Sequence, residues 1–172
     1  MVSAGLYTIP ANYKDRFILL LAELHDANNK LISRSYYYPR SLVKMEDKAF
    51  YDKYVNEPTP WITLNNGPWL KPTVAKNATT LSIQETSNTI VSEGESEVKL
   101  LVKNTGKVPA FMAKVDVAGV KRAFYASDNF FWLSPGESKT ITMNVLWREK
   151  DNQPVFTAAA WNAPQVEIKS KN

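Results

Sequence analysis

The fold of this chain is decided by residues 127–138, which read Ser-Asp-Asn-Phe-Phe-Trp-Leu-Ser-Pro-Gly-Glu-Ser. The Pro-Gly pair marks a turn, because proline presets its first central residue and glycine takes the positive backbone angle at its second. In the aromatic run before the turn, Phe131 and Leu133 share one strand face. Phe130 and Trp132 share the other. Aromatic residues at strand spacing usually belong to the core, so we expect one of these pairs to enter it.

From about Thr79 onward, short runs of alternating apolar and polar residues are separated by turn signals. A period of two indicates antiparallel strands with one wet face and one buried face, and the regular spacing of the turns is typical of a β-sandwich. The glycine of the turn Asn104–Lys107 is expected to supply a backbone angle that other residues resist. The predicted strands are 79–84, 97–103, 111–117, 138–147 and 155–161. In three of them the alternation places a set of apolar residues on one face. These sets are Val98, Leu100 and Val102 in the second strand, Phe111, Ala113, Val115 and Val117 in the third, and Ile141, Met143, Val145 and Trp147 in the fourth.

The first 40 residues predict a β-hairpin. A strand at 16–24 is apolar on both faces, a turn rich in Asn and Asp follows at 25–30, and a second strand returns at 31–38. Because a strand that is apolar on both sides is normally covered on both sides, and a lone hairpin is barely stable, this hairpin is typical of a piece of a larger sheet. The segment 41–76 reads as a Pro-rich connector with a short helix at 41–55.

Composition and charge exclude several classes of function. Cysteine is absent, which excludes disulfides, thiol catalysis and thiolate metal sites. The 21 basic and 17 acidic residues are interleaved, apart from a basic tail at 169–171, so we expect no nucleic-acid partner. The longest apolar run, 17–22, is far shorter than the roughly 18 residues that a membrane span requires, so we expect no membrane partner. The six glycines are spread singly and form no phosphate-binding loop, so no cofactor is expected.

Three motifs, taken in order, carry a resemblance to a known family. They are Val-Lys-Asn-Thr-Gly-Lys-Val-Pro-Ala-Phe at 102–111, the opening stretch extended to 127–140, and Ala-Trp-Asn at 160–162. With the hairpin and the connector before them, they resemble the C-terminal end of family 2 glycoside hydrolases, in the branch of exo-β-D-glucosaminidases and β-mannosidase-like enzymes. The resemblance covers roughly residues 16–162 and is most specific at 128–140.

The resemblance implies an all-β chain cut from a larger enzyme. Residues 1–40 would be the closing strands of a preceding immunoglobulin-like domain, 41–76 a connector, and 77–172 a C-terminal immunoglobulin-like β-sandwich. The catalytic barrel of such enzymes, with its two catalytic glutamates, is not in this chain, so no catalytic residue can be carried over. The implied role is a non-catalytic accessory domain that braces the barrel of an exported hydrolase acting on β-linked glucosaminides or mannosides, with the other domains of that hydrolase as partners.

No catalytic or metal-binding constellation competes with this interpretation. The carboxylates at Glu93, Glu95 and Glu97, and the pair at 46–47, are expected to be solvated charges rather than the paired acids of a glycosidase. The single histidine, His25, follows no nucleophile pattern with its neighbour Asp26, and a metal site lacks a second histidine.

Two alternatives stay open from the sequence. One is an independent carbohydrate-binding module, in which Trp61, Trp69 or Trp132 forms a stacking platform and Asp128 and Asn129 reach a ligand from a loop. The other is a purely structural sandwich of a surface or adhesion protein. The exposed hairpin edge would also allow self-association.

Overall fold

A computed structural model describes residues 20–37, 76–119, 121–148 and 153–170 of the chain. The chain divides into two units, Met1–Thr73 and Val74–Asn172. The helix predicted at 41–55 and the connector up to residue 75 lie outside the described residues. Within the described residues, no helix is long and apolar enough to cross a membrane.

The described part of the first unit is the predicted hairpin. Strand β1 (Leu20–His25) pairs antiparallel with strand β2 (Leu31–Tyr37). The Asp26 carboxylate holds the turn between them, because one of its oxygens accepts the backbone N–H groups of Asn28 at 2.9 Å and Lys30 at 2.8 Å. The apolar side chains of the two strands include exposed ones, with Leu24 59% and Ile32 61% accessible.

The second unit is an immunoglobulin-like β-sandwich, as predicted. Its two four-stranded antiparallel sheets have the strand orders β3-β4-β8-β6 and β10-β9-β5-β7. The strands are β3 (Leu81–Ser92), β4 (Glu95–Asn104), β5 (Ala110–Ala118), β6 (Arg122–Ala126), β7 (Phe131–Leu133), β8 (Ser138–Trp147), β9 (Val155–Ala160) and β10 (Ala163–Lys169).

One hydrophobic core lies between the two sheets, and the alternation of β4 and β8 predicts its members correctly. The side chains at 98, 100 and 102 and those at 141, 143 and 145 are fully buried. In β7 the inward pair is Phe131 and Leu133, which are 4% and 0% exposed, while Trp132 is half-buried on the opposite face. One pair of the stretch 130–133, Phe131 and Leu133, therefore belongs to the core, as predicted.

Strand β5 departs from the predicted alternation because it contains a bulge. Met112 has a positive φ of 52°, and the pairing of β5 with β7 shifts register between Ala110 and Ala113. Because of the extra residue, the β5 side chains before the bulge lie on the opposite side of the sheet from the one that the alternation predicts. The prediction that Phe111 shares the buried face was wrong: Ala110 is fully buried instead, and Phe111 is half-buried.

Gly136 and Gly106 both lie in turns, but the first is required by its backbone angle and the second by lack of space. Gly136 has a φ of 77°, as predicted for the Pro-Gly turn, and the Glu137 N–H closes that turn on the Ser134 carbonyl at 3.0 Å. The prediction for Gly106 was wrong, because its φ is not positive. Space requires glycine there: a Cβ atom would lie 2.1 Å from Thr79 Oγ1.

The last predicted strand was also too long, and one strand was missed after it. β9 ends at Ala160, a tight turn occupies Trp161 and Asn162, and β10 then runs back along β9. This turn has no glycine or proline to mark it in the sequence, because the side chain of Asn162 stabilises it through hydrogen bonds to distant residues.

Candidate functional site

A buried asparagine at the end of β4 joins three parts of the chain. The Asn104 side chain is 0% exposed. Its Oδ1 accepts the Thr79 hydroxyl at 2.8 Å and the Gly106 N–H at 3.0 Å. Its Nδ2 donates to the Val108 carbonyl at 2.8 Å and to the Leu133 carbonyl at 3.0 Å. One amide thus fixes the entry to the sandwich, the β4–β5 loop and the end of β7.

A second asparagine repeats this arrangement from the other sheet. The Asn162 Oδ1 accepts the Phe111 N–H at 2.9 Å, and its Nδ2 donates to the carbonyls of Asn77 at 2.6 Å and Pro109 at 2.8 Å. Its backbone carbonyl accepts the Thr79 N–H at 2.9 Å. The two amides therefore hold the β4–β5 loop and the segment 77–79 from both sides.

The three motifs that carry the family resemblance meet at this end of the sandwich. Besides the contacts of the two asparagine side chains, the backbone of Asn104 bonds to the Pro-Gly turn, with its N–H donating to the Glu137 carbonyl at 2.9 Å and its carbonyl accepting the Gly136 N–H at 3.0 Å. We call this region, which consists of Asn104, Asn162 and the segments that they hold at 77–79, 106–111 and 133–137, the clamped end. The motifs stand far apart in the sequence, and the hydrogen bonds explain why their residue types belong together.

An aromatic cluster lies at the clamped end, on the outer face of the sheet β10-β9-β5-β7. Phe111 contacts Trp132 and Trp161 edge to face, with ring centroids 6.5 Å and 5.4 Å apart. The indole N–H of Trp132 donates to Ser134 Oγ at 3.2 Å. Phe111, Trp132 and Trp161 are named the aromatic cluster below. Sequence reasoning missed Phe111 and Trp161, because the bulge and the unmarked turn hide their positions.

The loop residues proposed to reach a ligand both make internal contacts. Asn129 Oδ1 accepts the Val115 N–H at 2.8 Å, which continues the edge of β5 beyond its pairing with β7. The Asp128 carboxylate forms an ion pair with Lys139, whose ammonium also lies 5.3 Å from the centre of the Phe131 ring. Asp128 remains 38% exposed in its side chain, so its carboxylate is still reachable from solvent.

The other candidate residues either make local contacts or lie outside the described part of the chain. Trp61, Trp69 and the carboxylate pair at 46–47 lie outside the described residues. Glu97 lies 3.5 Å from Lys99, and Glu95 accepts the Ser92 hydroxyl at 3.1 Å. Among residues 20–37, 76–119, 121–148 and 153–170, no three His, Asp or Glu side chains come together to hold a metal ion.

The single histidine pairs with a glutamate two residues earlier rather than with the neighbouring aspartate. His25 Nε2 lies 3.1 Å from Glu23 Oε2, and its Nδ1 lies 3.2 Å from the Asn29 carbonyl. The hydrogen bond that His25 makes to the Glu23 carboxylate raises the pKa of His25, and the hydrogen bond to the Asn29 carbonyl raises it further. The hydrogen bonds of His25 and Arg34 lower the pKa of Glu23. Glu23, His25 and Arg34 thus form an exposed polar cluster on the hairpin.

Comparison with known proteins gives a family and a set of similar structures. The profile of the exo-β-D-glucosaminidase Ig-fold domain matches residues 73–163, which is more than half of the chain. No curated protein matches the chain. The crystal structure of the exo-chitosanase CsxA from Amycolatopsis orientalis is similar, with 18% identity, a TM-score of 0.58, and coverage of 88% of this chain and 18% of that one.

Two further structures of the same enzyme give the same result. In a study of inhibition of the exo-β-D-glucosaminidase CsxA by castanospermine and australine analogues, the similarity reaches 19% identity and a TM-score of 0.58, covering 97% of this chain and 19% of that one. A CsxA complex with PNP-β-D-glucosamine shares 21% identity with this chain at a TM-score of 0.56, and the similarity covers 87% of this chain and 18% of that one. At this level of identity the likeness shows the fold alone, and the chain spans less than one fifth of the length of these structures.

Proposed function

Because the chain belongs to the family of exo-β-D-glucosaminidase Ig-fold domains, we propose that it is a non-catalytic accessory region at the C-terminal end of a family 2 glycoside hydrolase. The match over residues 73–163 carries this proposal, since it spans the sandwich from its start to the end of β9 and includes all three motifs of the clamped end. The hydrolase acts on β-linked glucosaminides or mannosides, and its barrel is braced by this domain. The glucosaminide is favoured, because the related domains are those of glucosaminidases.

The domain limits belong to the same proposal. Residues 77–172 form the C-terminal sandwich, 1–40 close a preceding immunoglobulin-like domain, and 41–76 connect the two. The hydrogen bonds of Asn77 and Thr79 with Asn162 support a sandwich that begins at about residue 77.

An activity assay and a deletion test the role. The isolated chain is expected to leave nitrophenyl β-glucosaminide and β-mannoside unhydrolysed, since the family that it matches is an Ig-fold domain rather than a catalytic one. Removing 77–172 from the hydrolase should lower its melting temperature while the barrel keeps its active-site residues. Turnover by the isolated chain that disappears when one of its own carboxylates is replaced would overturn the proposal. A deletion without effect on the stability of the barrel would rule out bracing.

Contact of Trp61, Trp69, Asp128 and Asn129 with carbohydrate is a further part of the proposal. Titration of the chain with glucosamine and mannose oligosaccharides, followed by tryptophan fluorescence, tests it. A saturable change that Asp128→Ala or Trp69→Ala weakens would support the contact. A flat titration up to millimolar sugar would argue against it.

Self-association through the hairpin is proposed from its apolar strands. Leu20 is 42% exposed and Leu24 is 59% exposed, and exposed apolar strands recruit other strands. Light scattering should give a mass above the monomer for the whole chain and a monomer for a version that starts near Thr73. A monomeric whole chain whose β1 amides exchange freely would refute this step.

A further inference from the structure

Two more exposed apolar side chains stand near members of the aromatic cluster in the sequence. Met112 follows Phe111 in the bulge of β5 and is 38% exposed. Phe130 stands two residues before Trp132 and is 54% exposed. Trp161 is itself 38% exposed. Apolar side chains that collect in one place on a surface mark an interaction site more often than single ones do.

Both flanking residues have a backbone conformation that their side chains disfavour. The φ angle is 52° at Met112 and 62° at Phe130. This left-handed region suits glycine and asparagine, whereas a bulky side chain is strained in it. The third such residue of the described chain is an asparagine, Asn29 in the hairpin turn. At two positions beside the aromatic cluster the chain thus accepts strain and keeps an apolar side chain exposed, which points to a function for the exposed groups.

The polar groups around the cluster indicate the kind of partner. A sugar is oriented by hydrogen bonds beside an aromatic platform, which requires available polar atoms. Here the Trp132 indole N–H donates to Ser134, and the Asn162 amide is used by Phe111 and by two carbonyls. Asn129 Oδ1 is used by Val115. The rings also meet edge to face, at interplanar angles of 70° and 67°, and so do not form one flat platform. The surface therefore fits an apolar protein surface better than a sugar.

We propose that the aromatic cluster, with Met112 and Phe130, is the surface through which this domain docks on the barrel-bearing remainder of its parent hydrolase. The inference rests on the proposed function and adds the face that makes the contact. The family places this domain in an exo-β-D-glucosaminidase, and the similar CsxA chain extends far beyond the 18% that this chain covers. A large folded partner within the same polypeptide is therefore available to cover the surface.

The outer face of the other sheet supplies a control surface. On this face the interior strand β8 exposes three polar residues, Thr140, Thr142 and Asn144, followed by Leu146, which is 53% exposed. Tyr125 on the neighbouring edge strand β6 is 69% exposed and pairs in register with Asn144. An aromatic residue is thus equally accessible here, but its pairing partner on the sheet is polar.

The test measures, by titration calorimetry, binding of the second unit, Val74–Asn172, to the hydrolase that ends at Thr73, after circular dichroism has confirmed that each part is folded. Phe130→Asn removes the most exposed side chain of the docking surface and installs a residue that accepts the left-handed backbone, so the variant should fold at least as well as the wild type. Its affinity should fall about tenfold or more, as expected for a buried aromatic anchor of an interface. Trp161→Ser should have the same effect. Tyr125→Asn should change the affinity by less than about twofold.

The outcomes separate the docking surface from the proposed function. Binding that Tyr125→Asn weakens and Phe130→Asn does not would keep the accessory role and refute this surface. No binding of the wild type, together with a barrel whose stability is unchanged by deletion of the domain, would refute the accessory role itself. Saturable binding of glucosamine oligosaccharides that Phe130→Asn and Trp161→Ser abolish would overturn the protein partner in favour of a sugar site.

Discussion

Replacing Asn104 by alanine tests whether the clamped end stabilises the sandwich. The substitution removes the four hydrogen bonds that the amide makes to Thr79, Gly106, Val108 and Leu133. Thr79 and Val108 can still pair with each other, since the Val108 carbonyl lies 2.9 Å from the threonine hydroxyl, which can donate its single proton there once the amide is removed. The part-buried Gly106 N–H and the buried Leu133 carbonyl each lose their hydrogen bond to the amide.

The magnitude follows from these two groups. Each buried polar group left without a partner costs about 1–3 kcal/mol, and the loss of the buried side chain leaves a small cavity as well. We therefore expect Asn104→Ala to lower the free energy of unfolding by about 3–5 kcal/mol, a large share of the roughly 5–15 kcal/mol of an ordinary domain. For a domain of about 100 residues, the melting temperature should fall by at least about 12 °C.

Urea unfolding followed by tryptophan fluorescence measures this loss. Asn144→Ala is the matched control, because Asn144 is exposed on the outer face of β8 and should change the stability by less than about 0.5 kcal/mol. Asn104→Asp keeps the acceptor but turns a charged oxygen toward two carbonyls, so it should also destabilise the fold. If Asn104→Ala costs less than about 1 kcal/mol, the amide does not hold this end together and the reasoning fails.

Three other predictions concern single positions. Gly106→Ala should cost at least about 2 kcal/mol, because the added methyl group would lie 2.1 Å from a threonine hydroxyl; thermal unfolding equal to the wild type would contradict the steric argument. Phe131→Ala should cost roughly 3–5 kcal/mol and the half-buried Trp132→Ala less, and equal melting temperatures would refute the assigned facing. His25 should titrate above the usual pKa of about 6.5 in NMR spectra, and Glu23→Gln should lower that pKa. Because the folded-state pKa of His25 is raised and that of Glu23 is lowered, the pair stabilises the hairpin between these two values; the contribution disappears as the pH rises through the raised pKa of His25, and also as it falls through the lowered pKa of Glu23. A pKa unaffected by Glu23→Gln would exclude the pair as its cause.

The sequence predicted the strands with uninterrupted alternation, but it missed β6 and β10 and assigned the wrong facing at the start of β5. In β8 every second side chain faces the core without interruption, so the alternation of Ile141, Met143 and Val145 determines the facing by itself. In β5 the same rule fails at Met112, because a bulge changes the facing and nothing in the local pattern announces it. β10 escaped notice because Asn162, rather than glycine or proline, stabilises the turn before it.

The candidate site shows the same limit. Asp128 and Asn129 were selected because polar residues precede an aromatic run, but their partners Lys139 and Val115 lie 11 and 14 residues away. The amide contacts of Asn104 reach from Thr79 to Leu133, and such pairings follow from the closing of two sheets rather than from spacing. Gly106 illustrates the point most simply: its residue type was noticed, and the reason for it lay in a neighbour 27 positions earlier.

The bulge at Met112 has a consequence for anyone who aligns relatives of this domain. It changes the parity of β5, so that odd-numbered positions are core after it while the even-numbered Ala110 is core before it. A gapless alignment to a relative without the extra residue would match Phe111 to a core position and Ala110 to a surface one. The hydrophobic profile would then show an aromatic-to-alanine exchange in the interior that never took place. A single-residue gap at Met112 restores the match between core positions of the two sequences. The corrected alignment would then show which relatives carry an aromatic residue at the position of Phe111, next to the turn at Trp161 and Asn162.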